Sequence, residues 1–297
     1  MSRFINERKN NWQRLEDLLS MLKGNSIRGL SRAEVREFGE LYRRAATDLA
    51  IARAENQGFG LIWQFFAKDF PQAFRRTWKY TALAFAVFTV FAVASFLLCY
   101  YDTNFADEIG AGSARYAAQA NEKWWLELNQ ANQIGSSAIL TNNIRVAFMA
   151  FAGGAFFGIG TLYVLISNGL SIGGVLGVCF QANPAFGFDL VTFMVGHGVI
   201  ELSCIFIAGG AGMLIGYSII NPGDLTRGQA LKKNGMEAAR IVIGCACLLF
   251  IAGLIEGFLS PSDLPAGVKF GTGILTGILM YSYLCLVGRE KRSEFKL

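Results

Sequence analysis

A histidine and a glutamate four residues apart, His197 and Glu201, stand inside the run from Leu190 to Ile220, which is otherwise almost wholly apolar. On a helix this spacing puts both side chains on one face, about 6 Å apart. Such a pair can relay a proton, hold a cation, or latch two helices through a buried hydrogen bond. His197 is the only histidine of the chain, and Gly196 and Gly198 on either side leave room for a neighbouring helix or for water. A carboxylate at bilayer depth costs roughly 2.5–3.5 kcal/mol on the mildest insertion scale, so it turns toward protein or water and marks a functional position. Glu256, in Leu254-Ile255-Glu256-Gly257-Phe258, is a second such carboxylate, and Asn142, Asn143 and Arg145 open another apolar segment. If these lie at the same membrane face, Arg145 is within reach of Glu256; the alternative is an arginine snorkelling to water. Together His197, Glu201, Glu256, Asn142, Asn143 and Arg145 form the expected intramembrane polar site.

Other chemistries find no support. One histidine rules out a multi-histidine zinc site, and Cys245 and Cys247 have no third ligand near them in sequence. The six cysteines all fall in or beside apolar stretches and are expected to be free thiols that pack as small hydrophobes. There is no phosphate-binding loop, no His-Glu-x-x-His pair and no nucleophile elbow, and Ser203 and Ser218 lack the strained turn of a hydrolase. Neither an enzyme, a metal nor a cofactor is expected. Nucleic-acid binding is not expected either, because the basic residues of the N-terminal region alternate with carboxylates.

The elements that must position these residues are membrane spans. Of 297 residues 53% are hydrophobic and 16% charged, against about 25% charged in an ordinary soluble domain. The polar start at Met1 to Asn11 is not followed by a short apolar core with a cleavage site, so the first span is expected to be an uncleaved anchor. Residues 1–79 carry 15 Lys/Arg against 9 Asp/Glu. Within 1–58, apolar residues at helical spacing (Trp12, Leu15, Leu18 and Leu22; Val35, Phe38, Leu41 and Ala45) predict an amphipathic helical hairpin. Ser31 and Glu34 form a capping box, and Gly24, Asn25 and Gly29 supply the turn. In residues 59–79 the aromatic residues Trp63, Phe66, Phe70 and Phe74 alternate with Arg75 and Arg76, the pattern of an elbow helix at an anionic lipid interface, broken or kinked at Pro71.

Residues 80–288 then read as an all-α bundle of about six spans: 80–101, 144–166, 170–182, 190–220, 241–259 and 268–287, the third short or broken. The connection 102–143 is acidic and belongs outside. The N-terminal region, the stretch around Arg227, Lys232 and Lys233, and the tail 289–297 are basic and belong in the cytoplasm. Both termini are therefore expected inside. Trp124 and Trp125 in the external loop suggest an interfacial helix or a lid over a vestibule. Glycines spaced by four, namely Gly154 and Gly158, Gly169, Gly173 and Gly177, Gly212 and Gly216, and Gly273 and Gly277, predict close helix packing in a compact, oligomeric bundle.

Several of these stretches occur together in a fixed order. Phe4-Ile5 with Arg8, Trp12 and Leu15-Glu16 is followed by Leu30-Ser31, Leu41-Tyr42-Arg43-Arg44 and Asp48-Leu49-Ala50; then come Asn142-Asn143-Ile144-Arg145, His197-Gly198-x-x-Glu201-Leu202 and Ile255-Glu256-Gly257-Phe258. This series resembles the stage II sporulation protein M family over nearly the whole chain. The resemblance implies a multi-pass protein of the bacterial plasma membrane without enzymatic activity. The name-giving member helps to hold a peptidoglycan-degrading complex at the membrane during forespore engulfment. The long helical region before the first span departs from that member.

The expectation is thus an assembly or recruiting subunit with a polar, ion- or water-accessible intramembrane site. Its expected partners are the lipid bilayer including anionic lipid, a second copy of the chain, and other membrane or cell-envelope proteins. The alternative is a stand-alone channel or a proton- or cation-coupled transporter using His197 and Glu201.

Overall fold

The structure is a computed structural model that describes residues 2–21, 30–126, 132–260, 262 and 264–289. Its regular elements are all helical among the described residues, and the chain divides into two compact units, 1–65 and 66–297.

The first unit pairs α1 (Ser2–Met21) with α2 (Arg32–Gln64). Leu15, Leu18 and Leu41 form its core, with Leu30, Phe38 and Ala45 packed around them. Arg14 grips Glu37 through two hydrogen bonds of 3.0 and 2.9 Å, and Trp12 Nε1 donates to the buried Asp48 at 3.1 Å. The Ser31 hydroxyl accepts from the Glu34 N–H while the Glu34 carboxylate accepts from the Ser31 N–H, closing the capping box. The bonds to Glu34 and Glu37 favour their ionised forms. The Ser31 N–H holds Glu34 below its ordinary value, and the Arg14 hydrogen bond does the same for Glu37. The expected turn at Gly24, Asn25 and Gly29 lies outside the described residues.

In the second unit a π-helical turn, Phe65–Asp69, precedes α3 (Phe70–Tyr101). Pro71 occupies the first turn of α3, where its missing N–H leaves no helical bond unmade, so the irregularity falls just before the proline. Two short helices follow, α4 (Phe105–Glu108) and α5 (Gly112–Gln119), and then α6 (Asn132–Ala152), α7 (Ile159–Ala182), α8 (Pro184–Ile220), α9 (Arg227–Leu259) and α10 (Ala266–Leu286). Among the described residues, five segments are long and apolar enough to cross a membrane: 60–101, α7, α8, α9 and α10.

Two expected boundaries move. The span placed at 144–166 is interrupted, because the chain leaves α6 through a 3₁₀ turn at Gly153–Ala155 and passes Phe157 (φ 54°) and Gly158 (φ 81°) before α7 starts. The supposed short third span, 170–182, is the second half of the 24-residue α7. Hydropathy did not register this turn because its residues, Gly-Gly-Ala-Phe-Phe-Gly, are themselves apolar. Helix α6 already begins at Asn132, within the connection 102–143.

Glycine contacts set the helix directions. A Cβ on Gly169 would meet the Phe88 carbonyl oxygen at 2.6 Å and one on Gly177 the Phe96 oxygen at 2.5 Å, with Gly173 against Ala92 between them, so α3 and α7 run parallel at backbone contact. Gly273 meets Val195 and Gly277 meets Val199, making α10 parallel to α8. Gly154 abuts Gly212, and a Cβ on Gly216 would lie 2.6 Å from Gly158 Cα, which seats the α6–α7 turn on α8. Thr161 Oγ1 closes that turn by donating to the Ala150 carbonyl at 2.7 Å. The packing glycines are thus engaged inside the chain. Helix α9 runs antiparallel to α8, tied by Ser260 to His197 at one end and Asn234 to Ser218 at the other, each 2.7 Å. Six helices, α3 and α6–α10, therefore alternate in direction, and the start of α3 and the end of α10 lie at the same end of the bundle.

Candidate functional site

Helix α8 has 37 residues, about 55 Å at ~1.5 Å per residue, so it exceeds a ~30 Å hydrocarbon core. It is wrapped by α3, α6, α7, α9 and α10. His197 and Glu201 lie on the half of α8 nearer the 102–126 segment, and both are buried. They face a cavity of about 520 Å³ that is also lined by Glu256 from α9, Asn142 and Asn143 from α6, and Asn168 and Ser171 from α7. Five of the six residues expected at the polar site therefore line one chamber. Arg145 does not: its side chain is exposed on α6, and Glu256 takes no hydrogen bond from it.

The partners inside the chamber differ from those the spacing suggested. His197 Nε2 is 3.9 Å from Glu201 Oε2, too far for a hydrogen bond. Its Nδ1 instead meets Ser260 Oγ at 2.7 Å, and the Phe193 ring stands edge-on to the imidazole at 5.8 Å. Ser260 ends α9, where the exposed carbonyls of the last turn need donors. Lys269 Nζ donates to the Ser260 carbonyl at 2.8 Å and Ser262 Oγ to that of Leu259 at 2.6 Å. The imidazole is thereby fixed to a capped helix end. Glu201 accepts from the Asn143 side chain, yet its Oε1 has no partner among the described residues, and neither oxygen of Glu256 has one. Glu256 is 1% exposed.

Three carboxylate oxygens facing the chamber thus have no hydrogen-bond partner among the described residues. An unpaired charge buried in low dielectric costs several kcal/mol, so each carboxylate must carry a proton, a cation or ordered water. The polar donors around the chamber are mostly oxygens, and among the described residues no cluster of three or more His, Cys, Asp or Glu could ligate a metal ion.

The chamber has a roof and a floor. Trp125 is buried, edge-on to Phe186 at 4.9 Å, in a cluster with Val178, Cys179, Leu190 and Phe193, and Trp124 stacks edge-on to it at 4.8 Å. An exposed ion pair, Lys123 to Asp189 at 2.6 Å, fastens this segment to the start of α8. The tryptophans thus close the chamber and do not lie apart on a lipid surface. Below, Ile205 joins Ala84, Val146, Leu165 and Met213 in a packed core, and α8 is buried from Ser203 to Gly216. Exposed Asn142 and Ser171 stand at the mouth, between α6 and α7.

Of the residues expected to face lipid, Phe70 and Phe74 instead point into the bundle, packed on Tyr283 and Tyr281 with ring centroids 6.2 and 6.4 Å apart. Gly244 opens a slot for the Phe70 ring. Phe66 is half-buried and Trp63 exposed, Arg75 donates to the Leu284 and Val287 carbonyls, and Arg76 pairs with Glu237. Cys245 is buried next to Cys204 and Cys247 is exposed; all six cysteines are free.

The sequence reading missed Ser260 and Asn168 and left Trp124 and Trp125 open between an interfacial helix and a lid. Asn168 carried the signal of a polar group at membrane depth, hidden because it fell between two supposed spans. Ser260 before Pro261 marked a helix end and nothing more.

The family model described as Stage II sporulation protein M matches residues 84–261, which include every residue of the chamber. A second model, a domain of unknown function (DUF8413), matches residues 2–60. An uncharacterized protein of Methanocaldococcus jannaschii is 29% identical over 146 residues, covering 48% of this chain and 77% of that protein. No solved structure matches.

Proposed function

The chain belongs to the stage II sporulation protein M family, and on that premise we propose that it is a non-enzymatic integral membrane subunit whose bundle encloses a chamber for a proton or small hard cation. The observation that carries this reading is the set of orphaned oxygens on Glu201 and Glu256 facing one cavity. The packed floor from Ser203 to Gly216 favours a binding chamber over a continuously open pore. Assembly with membrane or cell-envelope partners is assigned to the first unit and to the 102–126 segment, which stand outside the bundle in sequence.

The membrane is proposed to be the bacterial plasma membrane with both termini cytoplasmic. The start of α3 and the end of α10 lying at one end of the bundle supports this, as does the basic character of Arg227, Lys232, Lys233 and Arg289 at the end opposite the acidic 102–126 segment. The test is reconstitution in liposomes loaded with a pH dye or a potential dye. The binding reading predicts no sustained signal after a pH or cation jump. A sustained signal that disappears in Glu201→Gln and Glu256→Gln would replace it with the transporter reading.

A further inference from the structure

At the opposite end of the bundle from the chamber roof, a second pocket of about 380 Å³ lies between the first turns of α3 and the end of α10, lined by Gln72, Arg75, Arg76, Gly288 and Arg289. Three guanidiniums converge there without a carboxylate in the lining among the described residues. Glu237, which pairs with Arg76 at 3.0 Å, is shared with Arg240 at 3.1 Å. Arg75 is preorganised, since one of its nitrogens donates to the Leu284 and Val287 carbonyls at 2.8 and 2.7 Å and caps the end of α10. Gln72 donates to the Gly288 carbonyl at 3.0 Å, and Arg289 Nε to that of Cys285 at 2.8 Å. Gly288 has φ 66°, and a Cβ there would press on the Ala67 carbonyl at 2.6 Å, so this turn is closed tightly against the preceding chain.

Planar guanidiniums in a fixed array favour a phosphate, whose oxygens they bind two at a time. Apolar surface next to the pocket identifies the source of that phosphate. Trp78, one turn further along α3, is 54% exposed, and Leu286 is 57% exposed. An uncharged stretch from Tyr80 to Tyr101 begins directly beyond, which places the arginines at headgroup depth. We propose that this pocket holds the phosphate headgroup of one anionic glycerophospholipid, whose chains lie along Trp78 and Leu286. The site is independent of the chamber and of any role assigned to it.

The test uses the full chain, stripped of lipid by detergent exchange, incubated with phosphatidylglycerol or phosphatidylcholine, and analysed by native mass spectrometry. The expected result is one retained phosphatidylglycerol per chain and no retained phosphatidylcholine. In Arg76→Gln/Arg289→Gln the retention should fall about thirtyfold, or about 2 kcal/mol, at roughly 1 kcal/mol for each arginine near an anionic headgroup. Both side chains are exposed, so an unchanged melting temperature serves as the folding control. Equal retention by the double variant, or equal retention of the two lipids, overturns the proposal. So does binding of inorganic phosphate in equilibrium dialysis without retention of phosphatidylglycerol, which would assign the pocket to a free anion.

Discussion

Replacing His197 with alanine removes the imidazole that meets Ser260 Oγ at 2.7 Å, and Ser260 is only 2% exposed. The serine hydroxyl then loses its imidazole partner at a buried position, at a cost of about 1–3 kcal/mol. Ser260→Ala strands the His197 Nδ1 and costs about the same. Once either partner is gone, removing the other costs less, so the two changes must couple. Hydrogen bonds between membrane helices couple by about 0.6 kcal/mol on average and up to about 1.7 kcal/mol. The capped helix end and the clamping Phe193 ring put this one in the upper half of that range. The assay is reversible unfolding in mixed micelles of the wild type, both single variants and the double variant. His197→Ala with Glu201→Gln provides the contrast, and at 3.9 Å its coupling should be smaller. Additivity of His197→Ala and Ser260→Ala within about 0.3–0.5 kcal/mol would refute the latch. Stronger coupling to Glu201 would restore the simple His/Glu pair.

Gly177→Leu should abolish a stable bundle, because even its Cβ lies 2.5 Å from the Phe96 carbonyl oxygen, while Gly198→Ala should be tolerated, having nothing within 4 Å; detergent melting curves of both variants decide this. On a background without the six native cysteines, a cysteine at Gln119 should react with an impermeant maleimide in intact cells, and one at Lys232 only after permeabilisation. Labelling of both from outside would overturn the assigned topology. In the first unit Glu34 and Glu37 are held below their ordinary 4.5, so the stability they contribute is present above that value and lost as pH falls through their lowered folded-state values. Hydrogen-exchange protection of α1 and α2 should therefore hold from pH 7 to 5 and drop below about pH 4, and Arg14→Gln should remove the part due to Glu37. A loss of protection on raising the pH from 6 to 8 would contradict the assignment.

The polar site was legible because a charge or an amide among apolar residues stands out whatever the fold, and His197, Glu201, Glu256, Asn142 and Asn143 all reached one chamber. Hydropathy reports depth but not direction around a helix. Arg145 was for that reason left between a pair with Glu256 and an outward position, of which the structure shows the second, and Phe70 and Phe74 were turned to lipid although Gly244 and two tyrosines receive them. The Gly153–Gly158 turn escaped notice because a break made of apolar residues looks like span. The glycine spacing identified close packing, but only the contacts say with what: Gly154 with Gly212, Gly158 with Gly216, and the α7 series with α3. The helical hairpin was the easiest part, since its leucine periodicity and Ser31 capping box are local signals.

The most direct test of the chamber is modification by a hydrophobic carbodiimide, which reacts with protonated carboxyls inside a membrane, read by peptide mass spectrometry on protein in native membranes. Adducts are expected at Glu256 and Glu201, with rates that fall as pH rises and as Na⁺, K⁺, Mg²⁺ or Ca²⁺ is added, the protecting ion identifying the occupant. Asn143→Ala should alter the rate at Glu201 and leave Glu256 modified. If neither carboxyl reacts at any pH, and Glu201→Gln/Glu256→Gln behaves as the wild type in stability and assembly, the chamber carries no ionisable occupant and the account is contradicted.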